Sequence, residues 1–245
     1  MKVSFGLGTA TYHKVVKNDE FHKELLASPV EKIIDFIDTA PIYAHGRAES
    51  WLGEKISLSV NRSVITKVGL EYSFATRVGQ KIPKGKTLYN HLFRPKIVRT
   101  RINRIEGSYA KSLKKLNGIQ PFGILLHSFD GTTVSIRQLS QLREIKKQNP
   151  RMRIGVSVDK TINELPLEMD ILEIAPDFGT VEMLQNFHGI LIINQAFKKN
   201  LTESQMIQLL QLDIEQLVIL CGSTKVERIV SFFDYWQNFI DKDNK

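Results

Sequence analysis

A (β/α)8 barrel in a single domain, residues 1–245, is the fold this sequence predicts, on three observations. Eight short apolar runs rich in β-branched residues recur along the chain. Helical patterns lie between them, the alternation expected of a parallel sheet wrapped by helices. Polar residues stand at the C-terminal ends of the runs, where such a barrel collects its chemistry.

The runs are Val3–Thr9, Ile33–Thr39, Ser63–Val68, Phe122–His127, Arg153–Val158, Ile171–Ala175, Gly189–Asn194 and Leu217–Gly222. They are apolar on both faces, as strands covered by helices should be. Ala48–Ile56 reads as a short helix. Pro95–Leu116 reads as the longest, with Ile97, Val98, Ile102, Ile105, Tyr109, Leu113 and Leu116 near helical spacing. Pro95 suits its first turn and Asn117-Gly118 its end. Val134–Gln148, Glu203–Leu212 and Val226–Ile240 are further helices, and 241–245 is a frayed tail. The aromatic residues of the last helix suit core packing, and the oligomeric state stays open. A doubly wound open sheet is the rival, but it wants GxGxxG after the first strand. Gly6-Leu7-Gly8 begins that pattern and Thr11 breaks it. No Pro-, Gly- or Ser-rich linker splits the chain; Lys81–Lys86 reads as a long loop after the third strand.

Apolar residues make up 42% and charged residues 24%, an ordinary globular balance that excludes overall disorder. Cys221 is the single cysteine, so no intrachain disulfide can form, and no metal-ligand spacing occurs. No apolar stretch reaches the roughly 18 residues of a membrane span. The N-terminal run is too short and glycine-rich for a signal peptide, so the cytoplasm is the expected location. The net charge is +8, and it is concentrated: Arg77 to Lys115 carries +11, the rest −3. Nucleic acid is the first thought for such a stretch, but no binding motif accompanies it, and Tyr89 and Phe93 are sparse aromatics. Placed in a barrel, the stretch divides. Arg99, Arg101, Arg104, Lys111, Lys114 and Lys115 fall mostly on the solvated side of a helix. Arg77, Lys81, Lys84, Lys86, His91 and Arg94 form a positive rim at the mouth, suited to an anionic substrate.

The strand ends carry Asp38, Lys67, His127, Ser157, Glu173, Asn194 and Gly222-Ser223-Thr224, with Tyr43 in the loop after Asp38. Singly, each has a plain structural reading: a turn, a cap, a packing residue. Together they suit one reaction. A phenol is a poor acid at neutral pH, and a lysine ammonium beside it favours the phenolate. An aspartate can hold that lysine, and a histidine can donate to a carbonyl oxygen. This set fits proton donation to an aldehyde or ketone. No side chain supplies hydride, so a nicotinamide cofactor is implied.

IDTAPIYAHGRAESWLGEKI (Ile37–Ile56) resembles the signature segment of the aldo-keto reductases. ITKVG (Ile65–Gly69), SLKKLN and FGILLHSFD (Ser112–Asp130), IGVSV (Ile154–Val158) and CGSTKVERI (Cys221–Ile229) match that family in order. The resemblance implies a (β/α)8 barrel and NAD(P)(H)-linked interconversion of a carbonyl and an alcohol. It makes Tyr43 the proton donor, Lys67 and Asp38 the pair that tunes it, and His127 the residue that orients the carbonyl. It makes Ser157 the holder of the nicotinamide amide, and places Glu173 where the family commonly has Gln. Gly222, Ser223 and Thr224 match the loop that holds the cofactor phosphates. Arg228 matches an arginine beside the adenosine 2′-phosphate, which favours NADP(H) over NAD(H). Gly8, Thr9 and Asn194 complete the expected cofactor-binding set. The text after the tyrosine, TKVG and GILIINQAF (Gly189–Phe197) are most similar to the aldose dehydrogenase branch, implying a small carbonyl or sugar substrate. Val158, Ser231-Phe232 and the segment QAFKKNLT depart from the family pattern. They support a second hypothesis, a cofactor-binding barrel with little turnover that acts as a regulatory or binding protein.

Overall fold

Side chains alternate across a strand, so a run that is apolar at every position must be covered on both faces. A computed structural model of the chain, which describes residues 1–12, 15, 18–55, 61–73, 96–159, 164–166, 168–176 and 184–243, meets that requirement by closing the runs into a barrel. The strands are β1 (Lys2–Gly8), β2 (Ile34–Asp38), β3 (Ser63–Val68), β6 (Gly123–Leu126), β7 (Arg153–Val158), β8 (Ile171–Ile174), β9 (Ile190–Ile193) and β10 (Gln216–Cys221). Around the barrel the order is β1, β10, β9, β8, β7, β6, β3, β2, and every neighbouring pair is parallel. The eight-stranded single barrel expected from the sequence is therefore the fold observed.

Two further strands, β4 (Leu70–Tyr72) and β5 (Ile97–Arg99), form an antiparallel ribbon outside the barrel. The ribbon corrects the reading of Pro95–Leu116 as one helix. Backbone groups of Ile97–Arg99 pair with Leu70–Tyr72, Arg101 is extended, and a 3-10 turn over Ile102–Arg104 leads into the helix at Ile105. Pro95 lies outside the described residues, as do 77–94, so the proposed positive rim does too. Arg99 is not on a solvated helix face. It sits on β5 and donates to Asp130 at 2.6 Å and to the Ser128 carbonyl at 3.1 Å.

The helices are α1 (Asp19–Ala27), α2 (Val30–Ile33), α3 (Ala48–Glu54), α4 (Ile105–Leu116), α5 (Thr133–Gln148), α6 (Glu203–Leu210) and α7 (Val226–Asp243). The sequence reading did not include α1 or α2. Asn18 caps α1, accepting from the amides of Glu20 and Phe21, and Phe21, His22 and Leu25 are its buried residues. The expected stop after Leu116 holds: Asn117 and Gly118 both take positive φ. On α7, Phe233 and Trp236 are buried, with Phe233 against Phe5 of β1 at 4.9 Å between ring centres.

The two faces of each strand build two cores. Ile37, Val64, Ile124, Val156, Leu172, Leu191 and Leu217 point outward into the helix layer. Phe36, Ile65, Leu125, Ile171, Ile190, Ile192, Val218 and Leu220 fill the barrel interior. The interior is narrow at β7. A Cβ added at Gly155 would overlap the carbonyl oxygen of Ile171 on the next strand, so only glycine fits there.

Candidate active site

The period of two places the polar residues. Two positions beyond the interior-facing Phe36, Ile65, Leu125 and Ile171 come Asp38, Lys67, His127 and Glu173. Gly155 and Ile192 lead in the same way to Ser157 and Asn194. An apolar plug is thus topped by a polar layer at the C-terminal end of the strands. Above it opens a cavity of about 230 Å³, whose wall includes Gly8, Asp38, Tyr43, His127, Ser157, Glu173, Asn194 and Gly222.

Tyr43 reaches this layer from the turn after β2. Its amide donates to the Ala40 carbonyl at 3.0 Å, opening a 3-10 turn over Tyr43–Gly46. Ala44, His45 and Gly46 then take left-handed φ of 50°, 56° and 81°. Such geometry is unfavourable for alanine and histidine and is held by its surroundings. Tyr72 donates its hydroxyl to the Ile42 carbonyl at 2.8 Å, and Lys115 its ammonium to the Gly46 carbonyl at 3.1 Å. The ribbon and α4 therefore brace the turn that presents Tyr43.

Lys67 is fully buried. Its ammonium donates to Asp38 in a short hydrogen bond, lies 3.0 Å from Glu173 Oε2, and sits 5.1 Å from the centre of the Tyr43 ring. The His127 ring meets the Tyr43 ring edge to face at 5.6 Å. Burial works against the charge on Lys67, but Asp38 and Glu173 outweigh it and hold the ammonium well above its ordinary range. Burial, reinforced by Glu173 and opposed by Lys67, raises the Asp38 carboxyl to about 7. Burial and then the Lys67 charge push His127 down to about 3, so its imidazole is neutral at ordinary pH. The Tyr43 phenol is raised, by burial first, with Lys67 pulling it down and the two carboxylates pushing it up. Lys67 thus acts in the expected direction, but the net shift of the phenol is upward. Two buried carboxylates share the one cation, and desolvation penalises the phenolate.

The residues expected to hold a cofactor are placed unequally. Gly8, Ser157, Glu173, Asn194 and Gly222 are on the cavity wall. Thr9 is buried and donates its hydroxyl to the Asp38 carbonyl at 3.0 Å, a bond that fixes the end of β2. Ser223 is buried with its hydroxyl accepting from the Lys225 amide at 3.2 Å, Thr224 is half-buried, and Arg228 is exposed on the first turn of α7. Two observations fit a cofactor bearing an amide. Asn194 Oδ1 is buried without a hydrogen bond among the described residues, while its Nδ2 donates to Glu173 Oε1 at 2.7 Å and Glu173 Oε2 faces the Lys67 ammonium. The wall also carries no side chain at Gly8 and Gly222, which both line the cavity. Nicotinamide has the complementary donors and the flat shape.

Asp159 also lines the cavity and was missed from the sequence, and Gln195, Phe197 and Lys198, from the divergent segment QAFKKNLT, line it too though none was named singly. Asp159 directly follows β7 and was findable as a strand-end polar residue. The other three depend on a left-handed Gln195 (φ 53°), which no local pattern signals. Phe197 and Phe232, both departures from the family pattern, touch edge to face at 5.8 Å. Among the described residues no cluster of His, Cys, Asp and Glu is arranged to hold a metal, and no helix is long and apolar enough to cross a membrane.

A family model described as the aldo/keto reductase family matches residues 3–206. No curated protein matches in sequence. Similar solved structures include PA4992 of Pseudomonas aeruginosa, described as an aldo-keto reductase: TM-score 0.65, 18% identity, 91% of this chain and 85% of that one. The silkworm aldo-keto reductase AKR2E5, solved with NADPH, aligns at TM-score 0.57 and 14% identity, over 93% of this chain and 77% of that one. The glycerol dehydrogenase AKR11B4 of Gluconobacter oxydans aligns at TM-score 0.55 and 19% identity, over 80% and 60%. At such identities these likenesses speak to the fold alone.

Proposed function

Because the chain belongs to the aldo/keto reductase family, we propose that it is an NAD(P)(H)-dependent oxidoreductase that interconverts an aldehyde, ketone or aldose with its alcohol. One observation carries the reading: Asp38, Tyr43 and His127 line a single cavity, and buried behind them Lys67 pairs with Asp38 and lies 5.1 Å from the centre of the Tyr43 ring. In reduction, Tyr43 gives its phenolic proton to the substrate oxygen. Lys67 supplies the positive charge that offsets the developing phenolate, and Asp38 holds Lys67 in place. His127, neutral at working pH, donates a ring N–H to the same oxygen and fixes its position. Ser157, Glu173 and Asn194 would hold the amide end of the cofactor, and Gly8 and Gly222 leave room for its body. The cofactor supplies the hydride when bound.

NADPH is favoured over NADH through Arg228, which stands exposed on the first turn of α7. The finer substrate assignment is a small carbonyl or sugar bearing a carboxylate or phosphate. Lys198 on the cavity wall supports it. Faster turnover of an acidic aldose than of its neutral parent, fading as salt rises, is the expected outcome. Equal turnover of the two at low salt would overturn the assignment.

The test of the reaction itself is a titration of the purified protein with NADPH and with NADH, followed by Tyr43→Phe. Saturable binding is expected in both proteins, with carbonyl reduction falling by roughly 10²- to 10⁴-fold in the variant. An unchanged rate would refute the role given to Tyr43. The competing reading, a barrel that binds cofactor without turnover, predicts binding and no Tyr43-dependent rate.

A further inference from the structure

We infer that Glu173 makes the cavity discriminate between the two oxidation states of a nicotinamide ring, holding the cationic oxidised form more tightly than the neutral reduced form. The inference rests on the reading that the cavity takes such a cofactor. It goes beyond that reading by assigning the preference to one carboxylate.

The charge arrangement carries it. Glu173 lies at the end of β8, buried to 1% exposure. Its Oε1 accepts from Asn194 and its Oε2 stands 3.0 Å from the Lys67 ammonium. Lys67 already has a carboxylate partner in Asp38. A lysine with one carboxylate is neutral as a pair. The second carboxylate leaves the trio with one negative charge when all three groups are ionised, and that charge faces the cavity. The remaining wall does not cancel it. Tyr43, from the turn after β2, is an un-ionised phenol, and His127, after β6, is a neutral imidazole. Asn194, after β9, and Ser157, on β7, carry no charge. Gly8 and Gly222, from β1 and β10, bring no side chain. At the outer wall Asp159 and Lys198 are exposed and of opposite sign.

An oxidised nicotinamide ring carries a positive charge that the reduced ring lacks. Glu173 therefore attracts one form and is indifferent to the other. A neutral amide at the same position would treat them alike. A buried unit charge several ångströms away, at an effective dielectric near 20, changes affinity by about tenfold or more. The effect should depend on pH. Asp38 is pushed up to about 7 by burial and by Glu173, so at lower pH Asp38 takes a proton and the trio becomes neutral. The preference for the oxidised form is present above that value and fades below it.

The experiment measures dissociation constants of NADP⁺ and NADPH by isothermal titration calorimetry on the full chain and on Glu173→Gln. It is done at about pH 8.5 and about pH 6, either side of the carboxylate titration. The readout is the ratio of the two constants. The 2′-phosphate titrates in both cofactor forms and cancels from that ratio. In the native protein the ratio favours NADP⁺ by about tenfold more at the higher pH than at the lower. In Glu173→Gln it is shifted toward NADPH by a similar factor at the higher pH and is nearly independent of pH. Equal ratios in the two proteins, or a native ratio that ignores pH, would overturn the inference while leaving the cofactor reading intact. Binding of neither form would overturn the cofactor reading and the inference with it. Should circular dichroism show Glu173→Gln unfolded, the native pH series decides alone.

Discussion

His127 and Asp38 sit in one polar layer and answer pH in opposite directions. In the fold His127 takes a proton only near pH 3, whereas an ordinary imidazole does so near 6.5. Between those values the unfolded chain binds the extra proton, so His127 removes stability as pH falls below about 6.5. Asp38 holds its proton up to about 7 in the fold, against 3.8 for an ordinary carboxyl. Here the folded state binds the extra proton, so Asp38 removes stability as pH rises from about 4 to 7. The two slopes overlap and largely offset one another. His127→Asn takes away one of them. Urea melts should show the variant gaining roughly 2 kcal/mol on the native protein between about pH 6.5 and pH 4.5. A difference that does not change over that range would mean His127 is protonated in the fold. Asp38, Lys67 and His127 were legible in the sequence because they end strands, and strand ends are where a barrel does chemistry. Tyr43 was legible mainly through the resemblance. What was not legible was the Lys67–Glu173 contact, because it joins residues 106 positions apart in sequence on opposite parts of the barrel wall.

At the scale of elements, strands were easier to read than their surroundings. Ser63–Val68 and Arg153–Val158 were bounded correctly from the sequence, since β-branched residues dominate both runs and their few polar residues fall toward the ends. The ribbon was not. Ile97 and Val98 fall at helical spacing with Ile102 and Ile105, and only their partner strand, Leu70–Tyr72, decides for extended structure. α1 was missed because few of its residues face the core. Gly155 gives this scale its prediction. β7 passes so close to β8 that a single methyl group has no space, and the atom in its way belongs to backbone, which cannot rotate aside. Gly155→Ala should lower stability by about 3 kcal/mol or more in denaturant melts. A change under about 1 kcal/mol would show that the two strands can move apart.

For the whole molecule, closure is the property that matters. The barrel sheet has no free edge, because β1 pairs with β10 as well as with β2. Cys221, at the end of β10, is buried, and burial pushes its thiol up to about 12. No local fraying of a sheet edge exposes it. An aromatic disulfide reagent should therefore leave the folded protein unlabelled at about pH 8 and label it stoichiometrically in denaturant. Labelling that outpaces global unfolding would point to a local opening of β10. The alternation of side chains through this closed sheet also has a mutational consequence. It acts as a reading frame. A substitution in β3 changes one side chain, but deletion of Thr66 would shift the parity of the rest of that strand and turn Lys67 out among the helices. The lineage of this chain should therefore vary its strands by replacement and confine insertions and deletions to its loops.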